Sequence, residues 1–435
     1  MIRGEPLARL RRTAGWSVGG ALAGRVAALV SAVLLARILG PAHYGEYVLV
    51  LTTITSVASV STSGLGIAAS KYLADLHGVA AARRDSGIAI VAASAAGSAV
   101  LGCALLSLAA GPLARHHFHR AAMTAPLMLG ALALAFATVQ GVAQGALNGL
   151  ERFRINALFS SGGAIVLACT LPLCAWLGGV MGGLVAWTAV TGVCACYGVQ
   201  LVCKGTDWRN ALRKGLLRSE ARRFTAVSAP MMLSALVMAP VNWLALSLLA
   251  RTPAGFAQVG QFNAAYQWYM GLIFIPAVLA GTVLPALSRM RTAGDGEGFA
   301  SLTRHSIATS ALVACASSLL VWLIAGRLME LYGPAYHDAA SLLRWLAAAA
   351  AANGLNAAIG QIMTASNRLW FGLLVNLLWS LTYLGWAAWQ VPRIGALGLA
   401  QGLVIAYAVH TLIHLGYLRQ HLRDAAADQQ GAGAV

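Results

Sequence analysis

The chain has 435 residues, of which 59% are hydrophobic and 10% charged, with a formal net charge of +17. Soluble globular proteins carry about 25% charged residues, so this composition excludes a chain that covers its surface with charge. The sequence also lacks a nucleotide-binding loop, an HExxH pair and paired carboxylates, so no enzyme and no metal site are expected.

A helix needs about 20 apolar residues to cross a bilayer, and lipid leaves open sheet edges unsatisfied. The first apolar block, near 13–37, follows a basic arm of Arg3, Arg9, Arg11 and Arg12. It is too long for a signal peptide and has no convincing cleavage site, so it reads as a true span. Arg25 stands at its middle, among the small residues Ala21, Ala28 and Ala32. A central Arg costs about 2.5–3.5 kcal/mol on insertion scales. It reads either as an anion-binding group in a cavity, suited to pyrophosphate, or as a structural Arg held by backbone carbonyls.

The second block, near 43–69, ends at Lys71, and a third lies near 87–111. The fourth, near 123–149, carries Gln140, Gln144, Asn148 and Arg152 at a spacing of four. Such residues form one stripe along a helix, which reads as a polar cavity lining or as interhelical hydrogen bonding. Blocks near 157–178 and 182–203 follow, then a basic stretch at 204–223.

The second half contains blocks near 224–250, 256–286, 305–325, 339–365, 369–390 and 396–418. In the eighth block, Gln261, Asn263 and Gln267 stand beside Tyr266, Trp268 and Tyr269. Rings stack on apolar sugar faces and amides bond hydroxyls, so this mixture suits sugar; an interfacial aromatic belt is the other reading. The tenth block holds Asn356, Gly360, Thr364 and Arg368, each 216 residues after the stripe of the fourth. The last block carries Tyr407, His410, His414 and Tyr417 on one face. His titrates near neutral pH, which makes His410 and His414 candidates for proton coupling beside a purely structural reading.

Of the 30 Lys and Arg, 22 fall on the side of the N-terminus, including Lys71, Arg152 and Arg368, while seven fall opposite and Arg25 lies within a span. Positive charge marks the cytoplasmic side, so both termini are expected there. The basic excess then needs no nucleic-acid partner, although it attracts acidic membrane lipids. The seven cysteines sit in or beside apolar blocks without a CxxC pair and read as small packing residues. None of the thirteen acidic residues falls near the middle of a block, which disfavours a cation pump.

The halves also match weakly at an offset of 214–216 residues, as in Leu34–Tyr47 against Leu248–Phe262. Parallel six-helix repeats suit transporters with a site between the halves. The expected organisation is a six-helix lobe at 1–203, a cytoplasmic linker at 204–223, a second six-helix lobe at 224–418 and a tail at 419–435. The fold class is all-α integral membrane, with about twelve transmembrane helices in a 6+6 repeat.

The segment LLARILGPAHYGEYVLVLTTITSVASVSTSGLGIAASKYLADL, Leu34–Leu76, resembles the opening of the polysaccharide biosynthesis family of oligosaccharide flippases. These are the Wzx-like members of the multidrug/oligosaccharidyl-lipid/polysaccharide exporter superfamily. The shared pattern runs through Ala36, Arg37, Leu39, Gly40, Pro41, Tyr44, Gly45 and Tyr47, then Gly64–Gly66, then Lys71 and Tyr72. Gly145–Arg154 and Gly395–Gly402 also look like family landmarks. The resemblance implies a V-shaped pair of lobes in a bacterial inner membrane. It implies alternating access that moves an undecaprenyl-pyrophosphate-linked oligosaccharide outward for O-antigen or exopolysaccharide synthesis. Lipid-linked oligosaccharide, membrane lipids, a polysaccharide polymerase and chain-length machinery are the implied partners. No cofactor is expected, and H+ or Na+ is the implied coupling ion. A multidrug and toxic compound extrusion exporter and a lipid II flippase share this architecture and stay open as alternatives. A polysaccharide polymerase or other glycosyltransferase is disfavoured by the short outer connections.

Overall fold

A computed structural model describes residues 5–76, 78–207, 211, 214–238, 240–292, 296–365 and 369–432. Helices account for the architecture, and no strand occurs among the described residues. Seven helical stretches are long and apolar enough to cross a membrane: Leu22–Ala74, Ala81–His117, Ala121–Gly149, Phe153–Cys203, Ser301–Leu323, Trp370–Ile394 and Ala396–Tyr417. Large apolar side chains stand open on their surfaces, Leu108 at 78% and Trp370 at 84% exposure. Water would penalise such surfaces, whereas lipid tails accept them. The chain is a multi-pass membrane protein.

Two of the seven stretches each contain two spans. A straight helix of 53 residues, Leu22–Ala74, would be about 80 Å long, more than twice the ~30 Å apolar core of a bilayer. Helix Glu5–Ser61 instead breaks at Gly40, with φ 70° and ψ 169°, followed by Pro41. Glycine tolerates the positive φ and proline cannot give its N–H to a helix. The second break, in helix Phe153–Cys203, falls at Gly178 and Gly179, the latter at φ 58° and ψ −141°. There the returning helix presses so closely that a Cβ on Gly182 would lie 2.0 Å from the Cys174 carbonyl oxygen. Helices Lys214–Met238 with Pro240–Ala250, Gly255–Thr292 and Ala339–Ala365 supply the remaining spans. The described residues thus hold twelve helical segments of span length, as the apolar blocks lead one to expect.

Packing groups the chain into two compact units, Met1–Gly260 and Gln261–Val435. The sequence suggests a division within 204–223, but the seventh span packs inside the first unit, and side-chain contacts at both of its ends account for this. At one end Glu220, 1% exposed, accepts a 2.6 Å bond from the Tyr72 hydroxyl and pairs with Arg83 at 2.5 Å. Phe224 meets the Tyr72 ring edge-on, and the Ser86 hydroxyl donates to the Ala211 carbonyl at 3.1 Å. At the other end the Trp243 indole donates to Thr53 Oγ1 at 2.9 Å. Beyond it, a Cβ on Gly45 would lie 1.8 Å from the Phe256 carbonyl oxygen, and one on Gly260 would lie 2.1 Å from that of Pro41. The YG pair after the Gly-Pro turn is therefore a packing requirement as much as a turn signal. Residues 214–223, read from sequence as linker, belong to helix Lys214–Met238.

Candidate functional site: a polar cavity in the first unit

The second span does not continue as a plain α-helix. Residues Thr62–Gly66 form a π-helical turn, the kind of local widening often found at functional sites. Beyond it, helix Ile67–Ala74 carries Lys71 and Tyr72. Tyr72 is buried against Glu220, while Lys71, one step round the helix, is exposed.

The fourth span, Thr124–Gly149, carries two rows at the same spacing: the amides Gln140, Gln144 and Asn148, and the glycines Gly141, Gly145 and Gly149. A Cβ on Gly145 would lie 2.1 Å from the Gly66 carbonyl oxygen, and one on Gly149 would lie 2.5 Å from that of Ser70. Small residues at such spacing let membrane helices touch backbone to backbone. Successive residues of a helix differ by about 100°, so fixing the glycine row against the second span turns the amide row aside. Gln140, Gln144 and Asn148 then face a cavity of about 870 Å³ together with Lys71. Its wall also includes Thr62, Ser63, Ser70, Ser160, Thr191 and Trp187. Asn148 is oriented by a 2.8 Å bond that its Oδ1 accepts from Asn156 Nδ2.

The chemistry of this wall is selective. Side-chain amides both donate and accept hydrogen bonds, as hydroxyls do, and Trp187 adds an aromatic face. Lys71 is the one charged side chain among the described lining residues, and no carboxylate is among them. The volume falls within the ~300–1,000 Å³ of small-molecule sites. Among the described residues no group of three or more His, Cys, Asp or Glu could hold a metal ion.

The other residues singled out from sequence lie elsewhere. Arg25 is half-buried in the first span and is not among the lining residues. Its neighbour Gly24 would place a Cβ 3.6 Å from that of Ala164, a residue of the cavity wall. Arg152 donates to the Leu201 carbonyl at 2.6 Å, tying the turn after the fourth span to the end of the sixth. Arg368 lies outside the described residues, as does the side chain of Thr364, whose backbone ends helix Ala339–Ala365.

In the second unit Gln261 donates to the Ala335 carbonyl at 3.0 Å, and Gln267 donates to the buried Asn263 at 3.2 Å. His410 and His414 form a buried pair with 3.1 Å between their Nε2 atoms, and His414 meets Asn356. Sequence reasoning missed Asn353, which donates to the hydroxyls of both Tyr269 and Tyr407 at 2.8 and 3.1 Å. Its signal was present: Asn353 and Asn356 stand one helical turn apart in an alanine run. Trp187 and the glycine row were also missed, and only the repeat at 141, 145 and 149 gave a clue.

The profile of the family described as polysaccharide biosynthesis protein matches residues 10–291. The chain is 28% identical over 410 residues to the EPS I polysaccharide export inner membrane protein EpsE of Ralstonia solanacearum, covering 91% of this chain and 90% of that one. The protein of the same name from Ralstonia nicotianae is 28% identical over 401 residues. Among solved structures, the inward-facing conformation of a multidrug resistance MATE family transporter of the MOP superfamily superposes with a TM-score of 0.78 at 17% identity, over 93% of this chain and 96% of that one. The inward closed conformation of the lipid II flippase MurJ gives 0.78 at 13% identity, over 92% and 86%. These structural likenesses establish the fold.

Proposed function

The chain belongs to the polysaccharide biosynthesis protein family, and from that premise we propose that it carries a lipid-linked oligosaccharide across the bacterial inner membrane by alternating access. The single observation that carries this reading is the cavity wall: amides, hydroxyls, an indole and one lysine, with no carboxylate among the described lining residues. Sugar hydroxyls find both donors and acceptors there, and Lys71 attracts the phosphate that joins sugar to lipid. Arg25, one residue from the contact with the wall, is the second cation in this proposal. The positive-inside distribution supports cytoplasmic termini, so Lys71 stands where a substrate made in the cytoplasm would enter. A polymerising enzyme with its chain-length machinery would consume the product outside.

A cationic drug would need a negative partner, and the wall offers none among its described residues; the multidrug reading therefore has less support. Deleting the gene tests the proposal. The expected result is loss of surface polysaccharide with accumulation of lipid-linked oligosaccharide, both reversed by the wild-type gene. Undiminished polysaccharide in the deletion strain would refute it.

A further inference from the structure

The last span and the tenth form a hydrogen-bond chain whose direction is fixed from one end. It starts at the backbone carbonyl of Tyr407, which can only accept, so the Thr411 hydroxyl donates to it at 2.7 Å. Thr411 Oγ1 has spent its proton and accepts from Asn356 Nδ2 at 3.0 Å. That sets the amide, and Asn356 Oδ1 faces His414 Nδ1 at 3.0 Å. An amide oxygen accepts only, so His414 carries its proton on Nδ1. In neutral His414 the Nε2 is then a bare lone pair, and His410 Nε2, 3.1 Å away, must donate to it. The chain ends at His410 Nδ1, a buried acceptor with no hydrogen-bond partner among the described residues. His410 and His414 are 8% and 3% exposed.

We propose that His410 Nδ1 is a reversible proton-binding site, set in the receptive tautomer by Thr411, Asn356 and His414. A proton from hydronium joins the Nδ1 lone pair, leaving water and an imidazolium. The Nε2–H bond to His414 is kept throughout, so loading requires no rearrangement of the chain. The titratable groups around the site are few. On the last span they are His414 and Tyr407, whose ring stacks on His410 with centroids 6.3 Å apart. The eighth span contributes Tyr269, hydrogen-bonded to Tyr407 at 3.0 Å. The tenth span faces it with neutral Asn353 and Asn356, and the eleventh with Trp379 against Tyr407. Among the described residues, no Asp, Glu, Lys or Arg forms a hydrogen bond or ion pair with either histidine. A bound proton is thus a full charge with no counter-ion among the described residues, and the loaded and empty forms favour different packing of the last span. This provides a means for a proton gradient to drive the cycle, and it goes beyond the export reading.

The test begins without any cargo. The full chain, labelled with 15N-histidine and held in nanodiscs, is titrated by NMR, with His410→Gln and His414→Gln providing assignments. The expected spectrum shows His410 protonated on Nε2 and bare on Nδ1 at high pH. Acid then converts it to imidazolium, with the coupling between the two Nε2 atoms retained. Thr411→Val keeps both imidazoles but releases Asn356, and the expected result is a mixture of His410 tautomers. A proton found on His410 Nδ1 in the neutral form would overturn the proposal. So would a bare nitrogen that never titrates while the chain stays folded by size-exclusion chromatography. In cells, His410→Gln is expected to abolish the response of polysaccharide export to an imposed pH gradient; a wild-type response would overturn the coupling. The NMR arm stands whatever the cargo is, so its failure is distinct from failure of the export reading.

Discussion

Gln144 and Gly145 are adjacent in the chain and have opposite duties. The amide faces the cavity, and the glycine lets the fourth span touch the second. Replacing Gly145 with alanine puts a methyl group 2.1 Å from a backbone oxygen that cannot swing away. Overpacking of this kind costs about 1–3 kcal/mol. Gly145→Ala is therefore expected to lower the thermal unfolding temperature in detergent, whereas Gly162→Ala, with open space around it, leaves it unchanged. Gln144→Ala makes the complementary prediction. It removes one or two hydrogen bonds to the cargo, about 1–3 kcal/mol, so export falls about tenfold while the protein reaches the membrane at its normal level. Lys71→Ala is expected to do the same. The stripe of amides was legible in the sequence from its spacing alone. Its orientation was not, because that depends on which neighbouring row is pressed against the second span.

At the scale of elements, the spans themselves were written plainly in the length of the apolar blocks. The turns at Gly40–Pro41 and Gly178–Gly179 were legible too, since glycine and proline interrupt helices for known reasons. The packing of the seventh span was hidden. Glu220 lies in a strongly basic stretch, where a carboxylate reads as a solvated charge. In the structure it is buried by Tyr72 and Arg83, residues nearly 150 positions and nearly 140 positions away. Such a contact has no local signature. Removing one partner of a buried pair costs about 3–5 kcal/mol when both are fully buried. The Arg83 side chain is 32% exposed, so the low end of that range applies. Glu220→Ala is expected to destabilise the first unit, read as faster proteolysis in the segment around 204–223. An unchanged proteolysis pattern would show that the contact holds nothing in place. The recurrence 216 residues later leads to Asn356, which occupies a polar site and joins a hydrogen-bond chain with Thr411 and His414.

For the whole molecule, the charge distribution is the strongest topological statement in the sequence, because Lys and Arg side chains resist translocation. Reporter fusions at Gly205 and Arg291 are expected to read cytoplasm, and a fusion at His117 the opposite side. A reversed reading at any of them would break the orientation on which the entry side of the cavity depends. The proposed function is movement of cargo from that side to the other. Its most direct test is the fraction of lipid-linked oligosaccharide on the outer face of the inner membrane. This can be measured in spheroplasts with a sugar-modifying enzyme that cannot cross the bilayer. A high accessible fraction is expected with the wild-type chain, a low one without it, and a low one with the combined Lys71→Ala and Gln144→Ala substitutions at normal protein level. An accessible fraction that is the same with and without the chain would contradict the proposed function.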